Sequence, residues 1–119
     1  MNIANYKNVE PEPEMHDAKG VSLRWLITKK MGAPNFAMRL FEIDQNGFSP
    51  NHKHPWEHEV FIIDGEGEVG NSEGKHAIKS GDFILINSNE RHQIINTGPK
   101  TLRFLCIIPH IDDREVDKR

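Results

Sequence analysis

Residues 47–58 read Gly47-Phe48-Ser49-Pro50-Asn51-His52-Lys53-His54-Pro55-Trp56-Glu57-His58, and the apolar run that follows ends at Gly65. In an extended strand, residues i and i+2 project from one face about 6.5–7 Å apart, so His52 and His54 can converge on one ion. Pro55-Trp56-Glu57 supplies enough chain to bend and bring His58 back to the same face. His92 lies far along the chain, at the head of another strand-like run. A solitary histidine is ordinarily a surface or core residue, and scattered surface histidines are the competing reading. The tight His-x-His-x-x-x-His cluster moves the balance toward a divalent metal site.

Outward from this cluster, the chain is a string of short apolar runs at 21–28, 36–43, 59–63, 66–70, 75–79, 83–86, 93–96 and 102–108. Turn residues separate them: Gly32-Ala33-Pro34-Asn35, Asn46-Gly47, Asp64-Gly65, Asn71-Ser72-Glu73-Gly74, Ser80-Gly81-Asp82, Asn87-Ser88-Asn89-Glu90 and Thr97-Gly98-Pro99. Each separator tolerates positive φ or fixes a turn. Short strands at spacings near ten residues, with no helical stretch, predict an all-β sandwich or barrel.

Strand parity assigns some faces. Arg103 pointing to solvent places Leu102, Phe104, Cys106 and Ile108 on the inner face. In 36–43, an outward Glu42 turns Arg39 and Phe41 inward, whereas an outward Arg39 turns Met38 and Leu40 inward. Parity alone leaves both open.

At 119 residues there is room for one domain and one core. Hydrophobic residues are only 36% of the chain, so part of it must be polar fringe, and the two ends supply it. Residues 1–19 hold Glu10-Pro11-Glu12-Pro13-Glu14, which suits neither a helix nor a central strand and reads as an extended N-terminal arm. Residues 20–111 form the expected barrel, and 112–119 are a charged tail. A net charge of −3, with Lys29-Lys30 the only adjacent basic pair before the tail, argues against nucleic acid. The one cysteine, Cys106, excludes an intrachain disulfide and a cysteine zinc cluster. The N-terminus has no basic region followed by an apolar run, and no apolar stretch approaches the roughly 18 residues of a membrane span. A reducing, cytoplasmic setting is therefore expected.

The quoted stretch with Gly65, followed by Gly81, Asp82, Asn87, Asn89, His92 and Asn96, resembles the two motifs of the cupin superfamily. The resemblance spans about residues 35–108 and implies a cupin-like jelly-roll barrel, also called a double-stranded β-helix. Counting back seven from Gly65 puts the family's usual glutamate at His58, and counting on eleven from Gly81 puts its last ligand at His92. Glu57 and Glu59 have the strand parity opposite to His58, so they cannot face the metal if His58 does. Three departures stand out: one residue fewer between Gly47 and His52, Asn87 and Asn89 in place of the usual Pro and Gly, and a histidine in place of the carboxylate. This all-histidine pattern, with Ala33-Pro34-Asn35-Phe36 and Phe104-Leu105-Cys106, is similar to small manganese-binding monocupins. Those resemble dioxygen- or peroxide-handling proteins.

The expected metal ligands are thus His52, His54, His58 and His92. Four neutral imidazoles leave a divalent ion its full charge and, on an octahedral ion, two open positions. Imidazole also suits Fe, Ni and Zn, so manganese rests on the resemblance alone. Val60, Ile94, Phe104 and Cys106 are expected to line the cavity, and Arg39, if inward, to steer an anionic substrate. Cys106 reads first as a small buried apolar residue. His16, His76 and His110 read as surface residues, and Asn96 as fixing a turn or strand end. Trp56 either covers the mouth of the site or a dimer seam, or simply packs beneath a loop.

Two functions compete: a metal-dependent oxidoreductase of dioxygenase type acting on a small organic substrate, and a non-catalytic module that holds a small oxygen-rich ligand through the ion. An isomerase or lyase would need a carboxylate or histidine base that the sequence does not place. The arm, and the outward apolar parity of Phe61, Ile63, Leu105 and Ile107, fit a homodimer.

Overall fold

A computed structural model describes residues 1–12 and 15–111, so the expected charged tail and two residues of the expected arm lie outside the described residues. Eight strands form: β1 (Lys19–Ile27), β2 (Phe36–Phe48), β3 (His58–Asp64), β4 (Glu66–Asn71), β5 (Gly74–Lys79), β6 (Phe83–Ile86), β7 (Gln93–Asn96) and β8 (Leu102–Pro109). They lie in the order β5-β4-β7-β2-β8-β3-β6, with β1 added on β2, and every pairing is antiparallel. The sheet curls on itself into the all-β jelly-roll barrel expected from the sequence.

The alternation of apolar and polar residues sets which way each strand faces. In β8, Leu102, Phe104, Cys106 and Ile108 are buried and the residues between them half-buried, as the outward Arg103 requires. In β2, Ala37, Arg39, Phe41 and Ile43 are buried while Glu42 is half-buried. The open parity of this strand is thereby settled with Arg39 inward. Glu42 faces out and pairs with Arg24 and Arg103, and the Tyr6 ring lies 5.7 Å from each guanidinium. The core is a single cluster in which Phe41 and Phe104 stack with ring centroids 5.0 Å apart.

Two sequence expectations change. Asn46-Gly47 is not a strand separator, because β2 continues through it to Phe48. The pairing with β1 skips from Val21–Ile43 to Lys19–Phe48, so the segment bulges rather than turns. Asn46 takes a φ of 67°, and a Cβ at Gly47 would sit 2.5 Å from the Lys19 carbonyl oxygen. Glycine is needed there for close backbone approach. His110 is also no free surface residue: it is half-buried, and its Nε2 lies 2.6 Å from the Ala33 carbonyl oxygen. Among the described residues the helical content is two single 3₁₀ turns, Tyr6–Asn8 and Lys29–Met31.

Candidate metal centre

His54, His58 and His92 each direct one ring nitrogen to a common point, and these three nitrogens all lie within 4.8 Å of one another. The ring centroids are 5.2 Å apart for His54–His58, 5.7 Å for His54–His92 and 4.9 Å for His58–His92. Metal–imidazole bonds run about 2.0–2.1 Å, so the three rings surround a volume of ionic size.

The fold brings these rings together in separate ways. His58 opens β3 and shares its inward parity with Val60, while Glu57 and Glu59 are exposed. His54 lies in the segment before β3, its ring stacked on buried Trp56 at 4.7 Å and 8° between planes. Trp56 therefore backs a site histidine inside the core. His92 precedes β7 and is held by a paired backbone bridge to His52, at 2.9 and 3.1 Å. His52 is half-buried, lines the same cavity and has its ring centroid 5.9 Å from that of His54, but it does not join the tight group of three.

The 87–90 turn aims the His92 ring. Glu90 accepts from the Asn87 backbone N–H, Asn89 takes a φ of 63°, and the Asn89 N–H donates to the His54 carbonyl. Asparagine tolerates the left-handed region, so it serves where a glycine is usual. The Glu90 carbonyl oxygen lies 2.9 Å from His92 Nδ1, which assigns the proton to Nδ1 and leaves the Nε2 lone pair for the site. Burial pushes the His92 pKa below its ordinary value, against the smaller opposing effect of the Glu90 carbonyl. The ring is thus kept neutral, as a ligand must be.

Behind His58, Nδ1 lies 3.4 Å from Cys106 Sγ and 3.3 Å from Nη2 of Arg39, and that Nη2 donates to the sulfur at 3.0 Å. Register explains the cluster. Arg39 pairs directly with Cys106 across β2 and β8, and Cys106 pairs with Val60 across β8 and β3. When His58 ligates through Nε2, Nδ1 carries the proton. Of these two neighbours only the sulfur can then accept it, because a guanidinium has no acceptor.

The cavity these groups enclose has a volume of about 60 Å³ and is also lined by Arg39, Val60, Ile94, Phe104 and Cys106. Phe41, which shares the inward parity of Arg39, lines it too, and the sequence did not point to Met15, Ser49, Pro50 and Ile86, which complete the lining. Ser49 and Pro50 sit just before the histidine cluster, a proximity that was legible. Met15 comes from the N-terminal segment and carried no signal. The donor set fits a divalent transition metal: neutral imidazoles, one with its remote nitrogen tied to a carbonyl and another with its remote nitrogen against a sulfur.

Comparison with known proteins agrees with this architecture. The chain is 32% identical over 84 residues to an L-ectoine synthase of Mycolicibacterium vanbaalenii, covering 68% of this chain and 63% of the relative. It is 46% identical over 59 residues to an oxalate-binding protein of Thermotoga maritima, covering 48% of each. The chain therefore spans less than two thirds of the length of these curated relatives. Among solved structures, the polyketide cyclase RemF of Streptomyces resistomycificus superposes with a TM-score of 0.85 at 29% identity, covering 92% of this chain and 79% of that one. A predicted oxalate decarboxylase of Thermotoga maritima gives a TM-score of 0.81 at 29% identity, covering 92% and 100%. The cupin domain profile matches residues 39–108, more than half of the sequence and the whole span from Arg39 to Ile108. This chain is a member of the cupin family.

Proposed function

We propose that the protein binds one divalent transition metal, manganese by preference, through His52, His54, His58 and His92. On this reading it is a metal-dependent oxidoreductase of dioxygenase type acting on a small organic molecule. The observation that supports the metal site is the convergence of three ring nitrogens within 4.8 Å inside a cavity, and the oxidoreductase reading extends it from the resemblance to small manganese-binding monocupins. His52 is taken as the fourth ligand because its backbone is bonded to that of His92 and its side chain lines the same cavity.

When bound, the cation would supply Lewis acidity and redox chemistry at positions the imidazoles leave open. The chain does the rest. Glu90 and Cys106 hold the proton at Nδ1 of His92 and His58, so both rings present Nε2. Phe104, Val60 and Ile94, all buried, keep the cavity wall apolar and exclude water. Among the described residues no carboxylate lines the cavity.

A second reading, a non-catalytic metal-dependent module for a small ligand, is favoured by the 46% identity to a protein named for binding oxalate. Peroxide-dependent oxidation of a chromogenic substrate by manganese-loaded protein separates the two. Turnover that is lost in His58→Ala supports the oxidoreductase. An inert loaded protein that still binds small ligands supports the module.

We also take the functional unit to be a homodimer. Phe83, Leu85 and Phe61 are 83%, 55% and 48% exposed on one outer sheet face, and they share a groove with Leu105 and Ile107. An apolar face of this kind on a small domain calls for a partner surface.

A further inference from the structure

Arg39 is 2% exposed, yet no acidic side chain among the described residues pairs with it. Its guanidinium carbon lies 4.9 Å from the Phe41 ring centroid and 5.4 Å from that of Trp25. Ring faces attract a cation, but they do not neutralise it. Its Nη2 donates to Cys106 Sγ, a weak acceptor in the thiol form, and its Nε has no hydrogen-bond partner among the described residues. A buried charge is costly unless it meets a counter-charge. Arg39 also lines the same cavity as the three converging histidines, and no Asp or Glu among the described residues lines it with them. Even before any cation enters, this cavity carries the Arg39 charge, and no described residue of its wall carries a negative charge to balance it.

We infer that Arg39 is the anion-recognising group of this cavity and that the ligand it takes is a small carboxylate. The inference rests on the proposed metal site for the cation's share of the ligand, but Arg39's share is independent of it. A guanidinium meets a planar carboxylate with two parallel N–H donors, and the spare Nε–H is one of them. Size narrows the class further. The cavity is small, at about 60 Å³. An acid of acetate size suits that space, whereas phosphate, of similar size but with more charge and more oxygens, would leave oxygens unpaired against the apolar wall of Val60, Ile94 and Phe104. Larger acids need Met15 displaced, since its side chain forms part of the wall and comes from outside the barrel strands.

Calorimetric titration of acetate, acetamide and inorganic phosphate into metal-free and manganese-loaded protein tests this. Wild type should bind acetate in both forms, and at least tenfold more tightly than acetamide or phosphate. Arg39→Gln should lose that preference while its acetamide affinity stays put. Should the variant fold poorly, the Arg39 Nε–H resonance of the wild type should shift with acetate and not with acetamide. Equal binding of acetate and acetamide, tighter binding of phosphate, or full acetate affinity in Arg39→Gln overturns the inference. Manganese titration of the same samples keeps the two readings apart. Arg39-dependent acetate binding without manganese uptake sinks the metal centre alone. Manganese uptake with acetate binding indifferent to Arg39 sinks this inference alone.

Discussion

Cys106 stands beside His58, its sulfur 3.4 Å from the ring's Nδ1 atom. Groups in this position fix the tautomer of a ligating histidine, and losing them typically costs 10–100-fold in metal affinity. Cys106→Ala should therefore weaken manganese binding by about that factor, while Cys106→Ser, which keeps an acceptor, should retain most of it. Calorimetry on the three proteins is the check. Unchanged affinity in Cys106→Ala would show that the sulfur only fills space.

Acid should weaken both the fold and the site through His92. Burial lowers its folded pKa below 6.5, so between that lowered value and 6.5 the unfolded chain binds more protons than the folded one. Stability consequently rises with pH across this window and is flat above it on this ring's account. Protons and metal compete for the same Nε2, so manganese affinity should be clearly lower at pH 5 than at pH 7.5. Equal affinity at the two values would contradict the assignment.

Asn96, 3% exposed, ties three backbone segments together. Its Nδ2 donates to the Ile43 and Lys100 carbonyls, and its Oδ1 accepts from the Gly98 N–H. Asn96→Ala strands these groups and should cost about 2–4 kcal/mol in urea unfolding. It lies at the opposite end of β7 from His92, so metal affinity should be unchanged.

The apolar outer face offers a test of assembly. Phe83→Glu with Leu85→Lys should convert a dimer into a monomer in sedimentation equilibrium, leaving far-UV circular dichroism intact. A wild type that is already monomeric at micromolar concentration rules the dimer out.

Eight short apolar runs and their turn residues carried the fold, because each strand alternates against a single core. The bulge at Asn46-Gly47 was hidden, since a glycine needed for backbone approach is spelled the same as one needed for a turn. Three of the four histidines could be grouped from spacing alone, and His92 only from the family motif, because nothing local links it to residue 52. The orientation of Arg39 was undecidable from parity: Leu40 on the other face of β2 is also buried, at 3% exposure. Burial on both faces of one strand is something that sequence alternation cannot encode. Met15 reaches the cavity from the N-terminal segment, and no periodic pattern announces such a contact.

Elemental analysis of protein purified without added metal, set beside His54→Ala and His58→Ala, bears most directly on the metal centre. The expected result is about one divalent transition-metal ion per wild-type chain and a near-complete loss in both variants. A metal-free wild type that also refuses manganese, or variants that keep a full complement, would contradict it.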